Sequence, residues 1–216
     1  MAANIPAMAE TLETKDFSYL FEGLQGISEK QIKQHNKLYE GYVAKYNEIN
    51  EKLKFTDRLS ANHNYSEYRS LKTEFAHNLN GAIFHEMYFS NLTTDYKEPS
   101  GDLEDLVSRY FGTWDEYIKD LKAAGMASRA GWAATVFNYR DGKLYNCIID
   151  QHNLNVPTCI RFVLVMDTWE HAFMIDYGTD KKSYINAFLD NVDWKVMENR
   201  LNSAIMASDM LGKATE

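Results

Sequence analysis

Apolar positions recur every three or four residues from Ser28 to about Phe55, with Ile32, Leu38, Tyr39, Tyr42, Val43, Tyr46, Ile49 and Leu53 forming one stripe. That period predicts a long amphipathic helix, and Ser28 stands where an N-cap oxygen would accept from the first unpaired backbone amides. The segment TDRLSANHNYS then supplies turn chemistry. A second stripe, Tyr68, Leu71, Phe75, Leu79, Ala82, Ile83 and Met87, predicts a helix that returns antiparallel to the first. KEPSGD closes this half, and residues 102 to about 129 read as two shorter helices around FGTWDEY.

After Gly131 the pattern changes to strand-length runs. WAATVFNY, KLYNCIID and IRFVLVM are rich in β-branched and aromatic residues, and RDG marks a hairpin turn between the first two. KSYINAFLD and WKVMENRLNSAIMAS then predict two terminal helices. The expected class is α+β: an N-terminal long antiparallel helical hairpin, then a C-terminal three-stranded antiparallel sheet with flanking helices. The corresponding domains are residues 1–98 and 99–216.

Composition narrows the function classes. The 216 residues are 45% hydrophobic and 25% charged, ordinary for a globular chain. A net charge of −8 without a Lys/Arg cluster argues against a nucleic-acid partner. No apolar run approaches the roughly 20 residues that span a bilayer, so no membrane partner is expected. The start, MAANIPAMAETLETKD, lacks a basic segment followed by an apolar one, which makes a cytoplasmic location the expectation. Cys147 and Cys159 lack metal-site spacing and are expected to be buried free thiols.

Candidate chemistry concentrates where a pattern breaks. In VLVMDTWEHAFMIDYG, residues 163–178, a strand-like apolar run ends in Asp167, Glu170 and His171 around Trp169. Such groups cost several kcal/mol, roughly, to bury without partners. Asp167 and His171 share one face if a helix has already begun, and otherwise Asp167 is mounted on a strand end. In the hairpin, His35 stands as far before Ser60 as His85 stands after it, so antiparallel helices place both at one level. Three imidazoles and a carboxylate suit a first-row metal such as iron or manganese, and no cysteine joins them to favour structural zinc. The alternative is two unrelated helix histidines, a capping aspartate and a packed histidine. Competing motifs are weak: EFAH holds one Glu-x-x-His, Glu74 and His77, where a di-iron bundle needs two, and HEMYF has Phe89 where a zincin needs histidine. His63 reads as solvated.

MDTWEHAFMIDYG resembles the Asp-x-Trp-Glu-His-Ala signature of the iron/manganese superoxide dismutases. GISEKQIKQHNKLYEGYV and GAIFHEMYFSNL are similar to the family's first and second helices, RAGWAATVFNYRDGKLYN to the start of its sheet, and NAFLDNVDWKVMENRL to its terminal helices. The resemblance implies that His35, His85, Asp167 and His171 ligate one metal, with a solvent molecule as fifth ligand. It also implies that Tyr42 is the gateway tyrosine, that Trp132 and Trp169 wall the site, and that Glu170 bridges a dimer interface. The implied activity is conversion of superoxide to dioxygen and hydrogen peroxide by a homodimer, with a tetramer as a further assembly. Lys33 or Lys37 would help attract the anionic substrate.

Two departures qualify the resemblance. Many members carry an outer-sphere glutamine on the second helix or in the sheet. Here the helix position is Gly81, and the sheet position aligns with His152, with Gln151 beside it as the alternative. Histidine there resembles iron-dependent or metal-tolerant members and favours iron over manganese. The usual second histidine after the first ligand is also missing, HNKLYEGY being one residue short, and Met174 replaces the usual tyrosine after the last ligand. The alternatives are therefore a relative performing other peroxide or dioxygen chemistry and a non-catalytic metal-binding protein.

Overall fold

The computed structural model describes residues 10–214, with side chains through residue 210. Residues 1–9 and 215–216, the outer ends of the two expected domains, lie outside the described residues. Helix α1 (Glu29–Phe55) begins as the pattern predicts, with the Ser28 hydroxyl accepting from Gln31 N–H. Helix α2 (Glu67–Ser90) is capped in the same way by Ser66 and packs antiparallel against α1. Two further serine- or threonine-capped helices, α3 (Gly101–Phe111) and α4 (Trp114–Ala127), lead into the sheet. Each cap occupies one backbone amide that a helix start leaves unpaired.

The sheet contains β1 (Gly131–Asn138), β2 (Lys143–Asp150) and β3 (Ile160–Asp167) in the order β2-β1-β3, all antiparallel. Trp132 lies opposite both Ile149 and Asp167, so the register sets an indole beside the final carboxylate of β3. Gly131 makes this end possible: a Cβ there would sit 2.0 Å from the Ile149 carbonyl oxygen. Its own carbonyl accepts from both the amide and the hydroxyl of Thr168, which turns the chain directly after Asp167. Helices α6 (Lys181–Leu189) and α7 (Trp194–Ala214) complete the fold. Between β3 and α6 lie a 3₁₀ turn at Glu170–Ala172 and a short helix α5 (Met174–Tyr177), neither of which the hydrophobic pattern predicted. No helix among the described residues is long and apolar enough to cross a membrane.

Two expectations are corrected. The buried face of α2 is Asn78, Gly81, Ala82, Phe84, His85, Tyr88 and Phe89, whereas Ile83 is 40% exposed and Tyr68, Leu71, Phe75, Leu79 and Met87 are half-buried. The helix is rotated by about one residue from the expected stripe, which turns Gly81 and His85 inward together with the aromatic Phe84, Tyr88 and Phe89. Cys159 is exposed, in a left-handed backbone conformation at φ 56°, and Cys147 is half-buried. Both thiols are free.

Candidate metal centre

His35 on α1, His85 on α2, Asp167 at the end of β3 and His171 in the following 3₁₀ turn converge so that one donor atom from each lies within 4.8 Å of the others. Asp167 belongs to the strand, so the strand-end alternative holds and the pair is not a helical one. Asp167 Oδ2 lies 3.0 Å from His35 Nε2, 3.2 Å from His171 Nε2 and 3.7 Å from His85 Nε2. His35, His85 and Asp167 are fully buried, and His171 is partly open.

The surrounding hydrogen bonds orient each donor. His85 Nδ1–H donates to the Gly81 carbonyl at 2.6 Å, which leaves the lone pair on Nε2 facing the cluster. Asp167 Oδ1 accepts from the Trp169 amide at 2.9 Å, and the Asp167 carbonyl accepts from Tyr184 Oη at 2.7 Å. Gln31 donates from Nε2 to the His171 carbonyl at 2.6 Å and accepts from the Ile175 amide at 3.1 Å, tying α1 to the turn that carries His171. Sequence reasoning missed Gln31 and Tyr184. A buried glutamine one turn before His35 was the available signal for the first, whereas nothing local marked Tyr184.

Burial lowers the pKa of His35 and drives that of His85 well below the imidazole range, so both rings are neutral with lone pairs available. Burial by itself would raise Asp167, but the adjacent His171 and His35 rings hold it below the carboxylate range. His85 Nε2 is buried without a hydrogen-bond partner. A buried orphan lone pair beside two further imidazole nitrogens and a carboxylate oxygen fits a cation, and three nitrogens plus one oxygen fit iron or manganese.

The remaining expected residues surround this cluster. Trp132 packs edge-on to His85 at 5.0 Å between ring centroids, and Trp169 stacks on His171 at 5.7 Å. Tyr42, half-buried, lies 5.1 Å from the His85 ring and shares a 2.8 Å hydrogen bond with His152 Nε2. His152 is fully buried, and its Nδ1 accepts from Trp132 Nε1–H at 3.1 Å. Gln151 is exposed, with φ 53°, and its left-handed turn after β2 is what swings His152 inward. Between the two alternatives for the inward position, His152 therefore occupies it. At Gly81 a Cβ would come within 2.7 Å of the Tyr42 ring, so this helix position carries no side chain and Tyr42 fills the space. Glu170 is exposed, and its carboxylate makes no hydrogen bond or ion pair within the described residues. Met174 and Ile175 beside it are 46% and 44% exposed.

Comparison with known proteins agrees with this centre. Residues 99–200 match the family described as iron/manganese superoxide dismutases, C-terminal domain. The chain is 43% identical over 195 residues to a superoxide dismutase [Fe] of Aquifex pyrophilus, covering 88% of this chain and 91% of that one. It is 29% identical to a superoxide dismutase [Fe] of Methanothermobacter marburgensis, over 88% of this chain and 96% of that one. It is also 29% identical to superoxide dismutase [Mn] 1 of Halobacterium salinarum, over 89% and 96% respectively. From its helical hairpin to its terminal helices, the chain belongs to the iron/manganese superoxide dismutase family.

Proposed function

We propose that this protein dismutates superoxide, with His35, His85, Asp167 and His171 holding one iron ion in preference to manganese. The observation that carries this reading is the convergence of four donor atoms, two from each half of a family chain, inside a buried aromatic box. When bound, the metal supplies one-electron redox chemistry, accepting an electron from one superoxide and returning it to another. The balance is two superoxide anions and two protons giving one dioxygen and one hydrogen peroxide. Iron is favoured by His152 at the inward position and by two similar proteins, each named superoxide dismutase [Fe], of Aquifex pyrophilus and Aquifex aeolicus.

The chain's own residues then have distinct tasks. The Asp167 carboxylate offsets cationic charge, and Trp132 and Trp169 keep bulk water from the ligands. Trp132 Nε1–H can only donate, so neutral His152 carries its proton on Nε2 and donates it to Tyr42 Oη. Burial first, then the neighbouring His77, holds the His152 pKa at about 4, which keeps this neutral tautomer at physiological pH. Tyr42's own hydrogen is thereby directed away from His152 and is available to a peroxide leaving the site. Superoxide is drawn by exposed Lys37, since Lys33 is engaged by Glu29.

We place the enzyme in the cytoplasm as a homodimer. Two free thiols support a reducing compartment, and an unpaired exposed Glu170 beside exposed Met174 and Ile175 supports a self-association surface next to His171. The test is dismutation by purified protein reconstituted separately with iron and manganese, with metal quantified per chain. Rapid turnover, faster with iron, is expected; His35→Ala is expected to lose both metal and turnover. Full metal occupancy with no turnover would overturn the proposal.

A further inference from the structure

Peroxide leaves the site with two protons, so any group that donates one has to be recharged. Tyr42 and His152 cannot recharge each other. His152 Nδ1 accepts from Trp132, and its Nε2–H already donates to Tyr42 Oη, so surrendering that proton would leave an imidazolate. His152 is moreover fully buried. Tyr42 is only half-buried, and a titratable side chain that touches the pair and also meets solvent gives it a fixed proton source.

His77 satisfies both conditions. It lies on α2, one helical turn before Gly81 and two before His85, and its side chain is half-buried. Its ring centroid is 4.6 Å from that of His152 and 6.1 Å from that of Tyr42, and Tyr42 and His152 are themselves 4.7 Å apart. Among the described residues, neither ring nitrogen of His77 is committed to a hydrogen bond, unlike those of His152. The helix is held here on both sides. Asn80 Nδ2 donates to the His152 carbonyl at 2.8 Å, and the bare Gly81 lets Tyr42 press against α2. Tyr42 from α1 and His152 from the loop after β2 are the titratable groups that face His77 from the packed elements, and Glu74 precedes it by three positions on its own helix.

We propose that His77 is the proton-supplying residue of this site, acting through Tyr42 and not on substrate directly. In each cycle the Tyr42 O–H bond breaks as a peroxide O–H bond forms. The Tyr42 oxygen then takes a proton passed to it from a His77 ring nitrogen, and that nitrogen recovers one from solvent. No electron moves in these steps. The inference rests on the dismutation reading.

The experiment compares wild type, His77→Gln and His77→Ala as metal-loaded proteins, measured by stopped flow with saturating superoxide between pH 6 and 9. A lost proton donor is expected to lower kcat about tenfold in both variants while kcat/KM stays within about twofold, since proton supply follows substrate capture. Imidazole buffer is expected to restore kcat in His77→Ala, and the solvent isotope effect on kcat to rise. As a readout independent of turnover, histidine-ring 15N NMR of zinc-loaded protein is expected to show His152 resonances that move with pH in wild type and do not move in His77→Gln. Unchanged kcat in both variants, lowered kcat without imidazole rescue, or His152 resonances indifferent to His77 would each overturn the inference. Absence of turnover in wild type would instead remove the dismutation reading beneath it.

Discussion

At the scale of single residues, burial decides which groups respond to pH. His152 titrates at about 4 in the folded chain against 6.5 for the free imidazole, because burial penalises its charged form. The unfolded chain therefore binds more protons between those values, and His152's contribution is complete above pH 6.5 and is lost as pH falls toward 4. The shift corresponds to up to about 3 kcal/mol. His152→Gln is expected to flatten that part of the acid-stability curve, measured by urea unfolding at pH 7 and pH 4.5; identical pH slopes in the two proteins would contradict it. The cysteines offer a simpler contrast. Burial pushes the Cys147 thiol up to about 11, leaving on the order of one part in a thousand as thiolate at pH 8. Cys159 is exposed. A disulfide reagent at pH 8 is expected to label Cys159 rapidly and Cys147 only on unfolding, as read by mass spectrometry.

At the scale of elements, the hairpin was legible because its length, its Ser28 cap and the equal spacing of His35 and His85 about the turn are all local or periodic features. The facing of α2 was not legible. Leu79, Ile83 and Met87 look like a core stripe, yet the interior takes Gly81 and His85, whose reason is the site and not hydrophobicity. Gly81 makes the difference testable. In a helix interior, glycine to alanine should gain about 1 kcal/mol from propensity alone. Here the new Cβ would meet the Tyr42 ring at 2.7 Å, with further ring atoms at 3.0 and 3.1 Å. Gly81→Ala is expected to fail to deliver that gain and to lower turnover severalfold by displacing Tyr42 from His152. A raised melting temperature with full activity would show that the Tyr42 ring yields freely.

At the scale of the whole molecule, the four donors come two from the hairpin and two from the sheet end, so the site is where the halves meet. The DTWEH segment made Asp167 and His171 visible in sequence, whereas the braces that position them required three dimensions. Tyr184 on α6 holds the Asp167 carbonyl, and Gln31 on α1 holds the His171 carbonyl from 140 positions away. Without a cation, two imidazoles and one carboxylate remain buried beside the partly open His171, with His85 Nε2 unpaired, a costly arrangement. Metal binding should therefore stabilise the halves against each other, by about 4 kcal/mol when free metal exceeds Kd a thousandfold. Removing it with a chelator is expected to lower Tm markedly, with hydrogen exchange rising first at Gln31, His85 and the 167–172 turn. Gln31→Ala is expected to weaken metal retention without touching a donor atom, because the turn bearing His171 would lose its tie to α1. If chelation left Tm and exchange at these positions unchanged, the two halves would be joined by their apolar contacts alone, and the buried donors would have to be satisfied by the protein itself.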